Sequence, residues 1–407
     1  MSASGLSASR LRRLDGVLGR HVEAGTVPGL VAVVARRGEA HVTVLGRGGA
    51  GGTGGPMRRD SLFRLASLTK MIAAATAMIL VEECLLRLED PVDGLLPELA
   101  GRQVLSRPDA ELADTVPARR PITLRDLLTF RMGLGMLMVP PRSYPILRAM
   151  DEAGLLPRRE PPEPATPDEW LARLGRLPLA CQPGERWIYH TPADVLGILL
   201  SRAAGQPLAE VLAARLLHPL GMTGTGFHVP AAGRGRLTAA WSPGRDGGLT
   251  LTDDPAHTRF AAPPVFPSAA GGAGPAGAGG LVSTADDLLA FAAMLAGQGR
   301  SPGGRILSRP AVTAMTTDQL TPQQRADNEI YFHGAAGWGF GLSVDIRRTG
   351  LSAPGRFGWT GGTGTALYVD PAEELITILL TQVQMTSPLP PAVYRDFWTG
   401  AYQAIDD

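Results

Sequence analysis

Two stretches at opposite ends of the chain constrain its fold more than anything between them. "GLVAVVARRGEAHVTVLG", Gly29 to Gly46, is a pair of β-rich runs around Arg37-Gly38, the pattern of a hairpin. Far downstream, Gly337 to Ile346, Gly364 to Asp370 and Glu374 to Gln382 read as further strands. Amphipathic or apolar segments at Ala8 to Val22 and Ala392 to Ile405 predict a helix near each terminus. The middle, about 75 to 275, is mostly helical pattern broken by Pro-rich loops, as in Ile122 to Phe130 and Ala193 to Gly205. Strands at both ends and helices between them predict an α/β (α+β) fold. One antiparallel sheet would be built from both chain ends, with a mostly helical domain inserted. The expected division is 1–74 plus 277–407 for the sheet domain and 75–276 for the helical domain, with the functional site at their interface. The Gly-rich stretches Gly48 to Pro56 and Phe260 to Gly280 read as loops.

Composition excludes several classes of function. The formal net charge of +1 and the lack of a long basic run give no reason to expect a nucleic-acid partner. No apolar run reaches membrane-spanning length, so no membrane partner is expected. The first residues are polar and charged where a signal peptide needs an apolar stretch, which gives a cytoplasmic expectation. Cys84 and Cys181 are too few for a disulfide framework and lack metal-site spacing, as do the scattered histidines. Cys84, in an apolar run, reads as a buried small hydrophobe. No metal or cofactor is expected. Oligomeric state is not legible.

The cations are the most informative residues. Of 39 basic residues, 38 are arginine and one is lysine, Lys70. Arginine replaces lysine freely on a surface, but it cannot give up a proton. A lysine can be tuned by burial and neighbours until it acts as a base. Ser67 stands three residues before Lys70, and Met71 to Leu80 looks helical. Positions i and i+3 share a helix face, so Lys70 Nζ can reach Ser67 Oγ. A serine so placed is a candidate nucleophile. Two further stretches matter. In "QPGERWIYHTPADVLG", Asp194 opens a helical pattern, which puts Tyr189, His190 and Thr191 on a loop. In "GWTGGTGTALYVDP", glycines precede and enter a strand, permitting close approach by a ligand.

Taken together, Ser67-x-x-Lys70, Tyr189-x-Thr191 and Trp359-Thr360-Gly361 resemble the three motifs of the serine β-lactamase and penicillin-binding-protein superfamily. The resemblance is to its class C-like branch, and within that to family VIII carboxylesterases. It runs from about residue 10 to 400. It implies a serine hydrolase with an acyl-Ser67 intermediate and Ser67, Lys70 and Tyr189 as the catalytic groups. The oxyanion donors it implies are the backbone N–H groups of Ser67 and Gly362. Thr191, Trp359, Thr360 and Gly361 become substrate contacts. Met132 and Met136, in the methionine-rich loop Arg131 to Pro141, join them as adaptable apolar contacts.

Two departures from the pattern bear on substrate. Many β-lactamases carry lysine where this chain has Trp359, and that cation meets the β-lactam carboxylate. Trp supplies an indole N–H and no charge. Thr191 stands where asparagine is common. Both changes favour small to medium uncharged esters, with weak β-lactam activity at most. A β-lactamase, a D-amino-acid peptidase or an acyltransferase on the same site remain open, as does a non-catalytic protein that binds peptidoglycan fragments. His190 invites a Ser-His-Asp reading, but a base adjacent to Tyr189 on a loop is not required, and His190 is read as structural.

Overall fold

The computed structural model describes residues 4–49, 55–140, 143–156, 165–244, 247–271 and 280–407. Its centre is a seven-stranded antiparallel sheet. The strands are β1 (Gly29–Arg36), β2 (Glu39–Gly46), β3 (Ala336–Trp338), β4 (Ser343–Asp345), β5 (Phe357–Gly361), β6 (Thr365–Asp370) and β7 (Leu375–Thr381). They lie in the order β3-β4-β5-β6-β7-β1-β2. The N-terminal hairpin therefore closes onto the last strand, with Val33 opposite Ile378. The sheet is built from both chain ends, as the strand pattern implies.

The helices that matter for the site are α1 (Ala8–Glu23), α2 (Thr69–Glu82), α3 (Thr191–Ala204), α4 (Ala285–Ala296) and α5 (Ala392–Gln403). They explain why β1 is apolar without alternation. Leu30, Ala32 and Val34 face the terminal helices, in one core with Leu14, Leu18 and Phe397. Val31, Val33 and Ala35 face the other way, in one core with Ile72 and Phe291. A strand covered on both faces has no solvent side to mark with polar residues. Helix α2 is the extreme case, since every residue from Thr69 to Leu80 is buried. A helix apolar all round belongs at the centre of a domain. Among the described residues no single helix is long and apolar enough to cross a membrane.

Several local expectations change. Gly337 to Ile346 is not one strand. The chain folds back on itself, pairing Trp338 with Ser343 across β3 and β4. Glycines allow this. A Cβ on Gly339 would sit 2.0 Å from Met315 O, and one on Gly341, which has φ +72°, would sit 2.9 Å from Lys70 O. Thr191 is the first residue of α3, not part of a loop, because Pro192 starts the helix there. Cys84 is exposed on a left-handed backbone (φ 60°), just past the end of α2. The apolar run predicts the helix correctly, but the residue after its C-cap points to solvent. The expected boundary after residue 74 falls within continuous α2, and the one near 276 lies outside the described residues.

Candidate active site

Backbone strain places Ser67. Phe63 and Arg64 pair with Ser283 and Val282, and Leu65 N–H donates to Leu281 O at 2.8 Å. The chain then leaves this short ladder at Ala66 with φ +45°, a left-handed conformation that a side chain resists. Such residues cost about 1–3 kcal/mol and persist where the surroundings impose them. Here Gly271 lies so close that a Cβ on it would be 1.8 Å from Ala66 O, and a Cβ on Gly361 would be 2.2 Å from Leu65 O. The kink delivers Ser67 to a 3₁₀ turn (Ala66–Leu68) that runs into α2, with the positive end of that helix beneath it.

Lys70 is one turn on and 1% exposed. Its Nζ donates to Ser67 Oγ at 2.9 Å and to the carbonyl of Ala270. Burial pushes the ammonium down to about 7, against the pull of Asp194, which favours the charge. Tyr189 is hydrogen-bonded to Ser67, and its hydroxyl accepts from Trp359 Nε1 at 2.7 Å. Burial moves the phenol upward, and these two hydrogen bonds only partly offset it. Lysine and tyrosine titrate close together in water, at about 10.4 and 10. The site drives them apart, leaving Lys70 as the group that releases its proton near neutrality. The ammonium lies 4.8 Å from the Tyr189 ring centroid.

The other expected residues separate into two sets. Met136 and Trp359 line a cleft of about 700 Å³ that opens at Ser67, together with Thr360 and Gly362. Met136 also fixes the Tyr189 backbone, donating its N–H to Tyr189 O at 2.9 Å. Gly362 has open space where a Cβ would stand. Thr191, Met132 and Gly361 do not line the cleft. Thr191 is sealed in the first turn of α3, 2% exposed, and Met132 is core, 1% exposed. Gly361 is spent on its contact with Leu65 O.

Asp194, which the sequence marks only as the opening of a helix, has a larger part in the structure. It is 2% exposed and accepts from Ser268 Oγ at 2.7 Å and Ala270 N–H at 3.1 Å. It thus pins the segment whose carbonyl holds Lys70. Burial raises this carboxyl, while those hydrogen bonds and the Lys70 charge lower it. His190, between Tyr189 and α3, has φ +79° and is buried. Burial and the Lys70 charge push its pKa well down, so the ring is neutral. Its Nε2 makes no hydrogen bond among the described residues and lies 3.9 Å from Asp194 Oδ2. No triad with Ser67 forms. Tyr331, which no sequence motif marks, packs its ring tilted against Tyr189, centroids 5.2 Å apart, and donates to Met138 Sδ at 3.2 Å. An acid inside an otherwise apolar helix run was the available signal for Asp194. Tyr331 gave none. Among the described residues no group of three or more His, Cys, Asp or Glu side chains is placed to hold a metal ion.

An antiparallel sheet fed by both chain ends, with a serine and a buried lysine at the start of its central helix, is the arrangement of a serine hydrolase. The chain belongs to the Beta-lactamase family, whose model matches residues 14–395. It is 33% identical over 411 residues to esterase EstB of Burkholderia gladioli, covering 95% of each chain. It is 40% identical over 340 residues to protein Rv1367c of Mycobacterium tuberculosis, covering 81% of this chain and 79% of that one. Among solved structures, EstCE1, described as a hydrolase with promiscuous acyltransferase activity, superposes with a TM-score of 0.76. The identity there is 25%, over 98% of this chain and 99% of the other.

Proposed function

We propose that the protein is a family VIII-type carboxylesterase that works through an acyl-Ser67 intermediate. The observation that carries this reading is the 2.9 Å contact between Ser67 Oγ and a lysine that burial holds near neutrality. Neutral Lys70 takes the Ser67 proton as Oγ attacks the ester carbonyl. The oxyanion is met by the N–H groups of Ser67 and Gly362. The departing alkoxide regains a proton through Tyr189 from Lys70. Water then enters and gives a proton to Lys70; as the C–Oγ bond breaks, that proton passes to Ser67 Oγ, which releases the acid and restores neutral Lys70. Tyr189 acts as a neutral donor in this scheme, held in place by Trp359 and Met136.

The likeness to EstB supports an ester substrate, and so does Trp359, which puts an indole where a carboxylate-binding cation would stand. Acyl transfer is the second reading. The EstCE1 likeness favours it, as does a cleft with room for a second alcohol in place of water.

A fluorophosphonate probe and intact-mass analysis test the nucleophile. One adduct is expected, on Ser67. Ser67→Ala should abolish both labelling and hydrolysis of 4-nitrophenyl butyrate, with the fold retained by thermal melting. Labelling elsewhere, or a folded and active variant, sinks the assignment. Nitrocefin compared with the butyrate ester tests substrate class. An uncompensated carboxylate should lower kcat/KM by roughly 10–100-fold, the worth of a charged hydrogen bond. Equal rates would put a cation at the Trp359 side and overturn the ester preference.

A further inference from the structure

Two cavities meet at Ser67. The larger holds Tyr189 and Trp359. The smaller, about 210 Å³, is lined on its polar side by Arg64, Arg259, Thr363 and Gln384, and by the ring of Phe260. Ser67 and Gly362 line both. An ester whose carbonyl oxygen points at the Ser67 and Gly362 backbone must therefore send one half into each cavity. Proton delivery decides which. The leaving alkoxide needs a donor, and Tyr189 lines the larger cavity only. The alcohol half belongs there, and the acyl half belongs in the smaller one.

The smaller cavity is not built for a plain alkyl chain. Arg64 is already committed, with Asp253 at 2.6 Å and the Thr238 carbonyl as partners. Asp253 is committed too, accepting from Thr258 Oγ1 at 2.9 Å. Arg259 is different. Its guanidinium makes no hydrogen bond or ion pair among the described residues and lies 5.6 Å from the Phe260 ring centroid. Arg64 lies 5.4 Å from the same centroid. Two guanidiniums against one carboxylate leave one positive charge over. Arg259 is exposed, so water serves its guanidinium while the cavity is empty. The Gln384 amide also makes no side-chain hydrogen bond among the described residues. An acyl group that fills the cavity displaces water from both donors, and a neutral alkyl chain offers them no acceptor in exchange.

We infer that the smaller cavity is an acyl subsite for a short acyl group ending in a carboxylate, with Arg259 as its counter-charge and Gln384 as a second donor. The substrate class is the half-ester of a short dicarboxylic acid with a bulky apolar alcohol. This deepens the esterase reading and rests on Ser67 being the nucleophile. It does not conflict with poor β-lactam turnover. A β-lactam carries its carboxylate on the leaving-nitrogen side, where it would face Trp359 and not Arg259.

The test uses three esters: 4-nitrophenyl butyrate, mono-4-nitrophenyl glutarate, and the butyrate ester of 4-hydroxybenzoate, which moves the anion to the alcohol half. The readout is the kcat/KM ratio of each anionic ester to the neutral one. Wild-type enzyme should favour the half-glutarate, and added salt should erode that preference. Arg259→Met should lower the half-glutarate ratio roughly 10–100-fold. Arg259→Lys should restore part of it, and the hydroxybenzoate ratio should not follow Arg259. The inference is overturned if wild-type enzyme turns over butyrate but not the half-glutarate, or if Arg259→Met leaves the half-glutarate ratio unmoved. It is also overturned if the hydroxybenzoate ester is the one that suffers. Failure on all three esters, with no fluorophosphonate adduct on Ser67, would instead bring down the nucleophile assignment, and this inference with it.

Discussion

The two walls around Ser67 are built by opposite rules. The inner wall comprises the start of α2, the first turn of α3 and residues 268–271. It is buried, and its polar groups answer one another. Lys70 donates to Ser67 and Ala270, Asp194 accepts from Ser268 and Ala270, and Gly271 N–H donates to Ser268 Oγ at 3.1 Å. The outer wall is Met136, Met138, Tyr331 and Trp359, brought from separate parts of the chain. Its rings pack at centroid distances such as 5.8 Å for Tyr189 with Trp359, and its polar links are few. A fully paired buried network penalises any change, because a lost partner leaves a desolvated group behind. A wall of aromatic and thioether groups adapts. Under the proposed mechanism the chemistry is therefore fixed on one side, and specificity can vary on the other.

The strongest way to break this contrast is Lys70→Arg. It keeps the charge, but guanidinium cannot take the Ser67 proton. We expect kcat/KM to fall by at least roughly 10²–10⁴, the usual worth of general-base catalysis. Thermal melting must show the variant folded, since a larger head has to fit a buried site. Near-wild-type turnover would reduce Lys70 to an electrostatic anchor. Next in size is Asp194→Asn, read from the pH profile. Lys70 must be neutral to act, so activity rises with pH as its ammonium, held near 7, loses its proton. The Asp194 charge raises that value, so removing it should move the acid limb of kcat/KM to lower pH. A limb that stays put or moves up would leave Asp194 as a purely mechanical pin. The smallest effect belongs to the outer wall. Tyr331→Phe deletes one hydroxyl that meets Met138. It should change kcat/KM on 4-nitrophenyl butyrate less than about 10-fold, within the range of one neutral hydrogen bond. A loss as large as that of Lys70→Arg would erase the distinction between the walls.

The same contrast governs what could be read from the sequence. Ser67 and Lys70 were legible because three residues along a helix fix their relation without any distant contact. The first hairpin was legible for the same local reason. Asp194 was not, because its partners Ser268 and Ala270 lie 74 and 76 residues away in sequence. The methionine loop shows a finer limit. Met132 and Met136 look equivalent in the sequence, but Gly133 turns the chain between them with φ +99°. A Cβ there would stand 2.4 Å from Cys181 O. One methionine is consequently core and the other faces the cleft. Glycines also hide the fold-back between β3 and β4, since an apolar run with glycine reads as one strand until the packing against Met315 and α2 is known.

The burial of α2 has a consequence for how the enzyme would fail. Backbone amides exchange with solvent only when their segment opens, and a helix enclosed on every side opens only when the whole domain does. The amides from Thr69 to Leu80 should thus be among the last in the molecule to take up deuterium, while the short helix bearing Tyr331 (Glu329–Phe332) is free to open earlier. On heating, the aromatic wall can loosen and selectivity blur while Ser67 and Lys70 keep their registration, so the capacity to cleave an ester outlasts the ability to choose one.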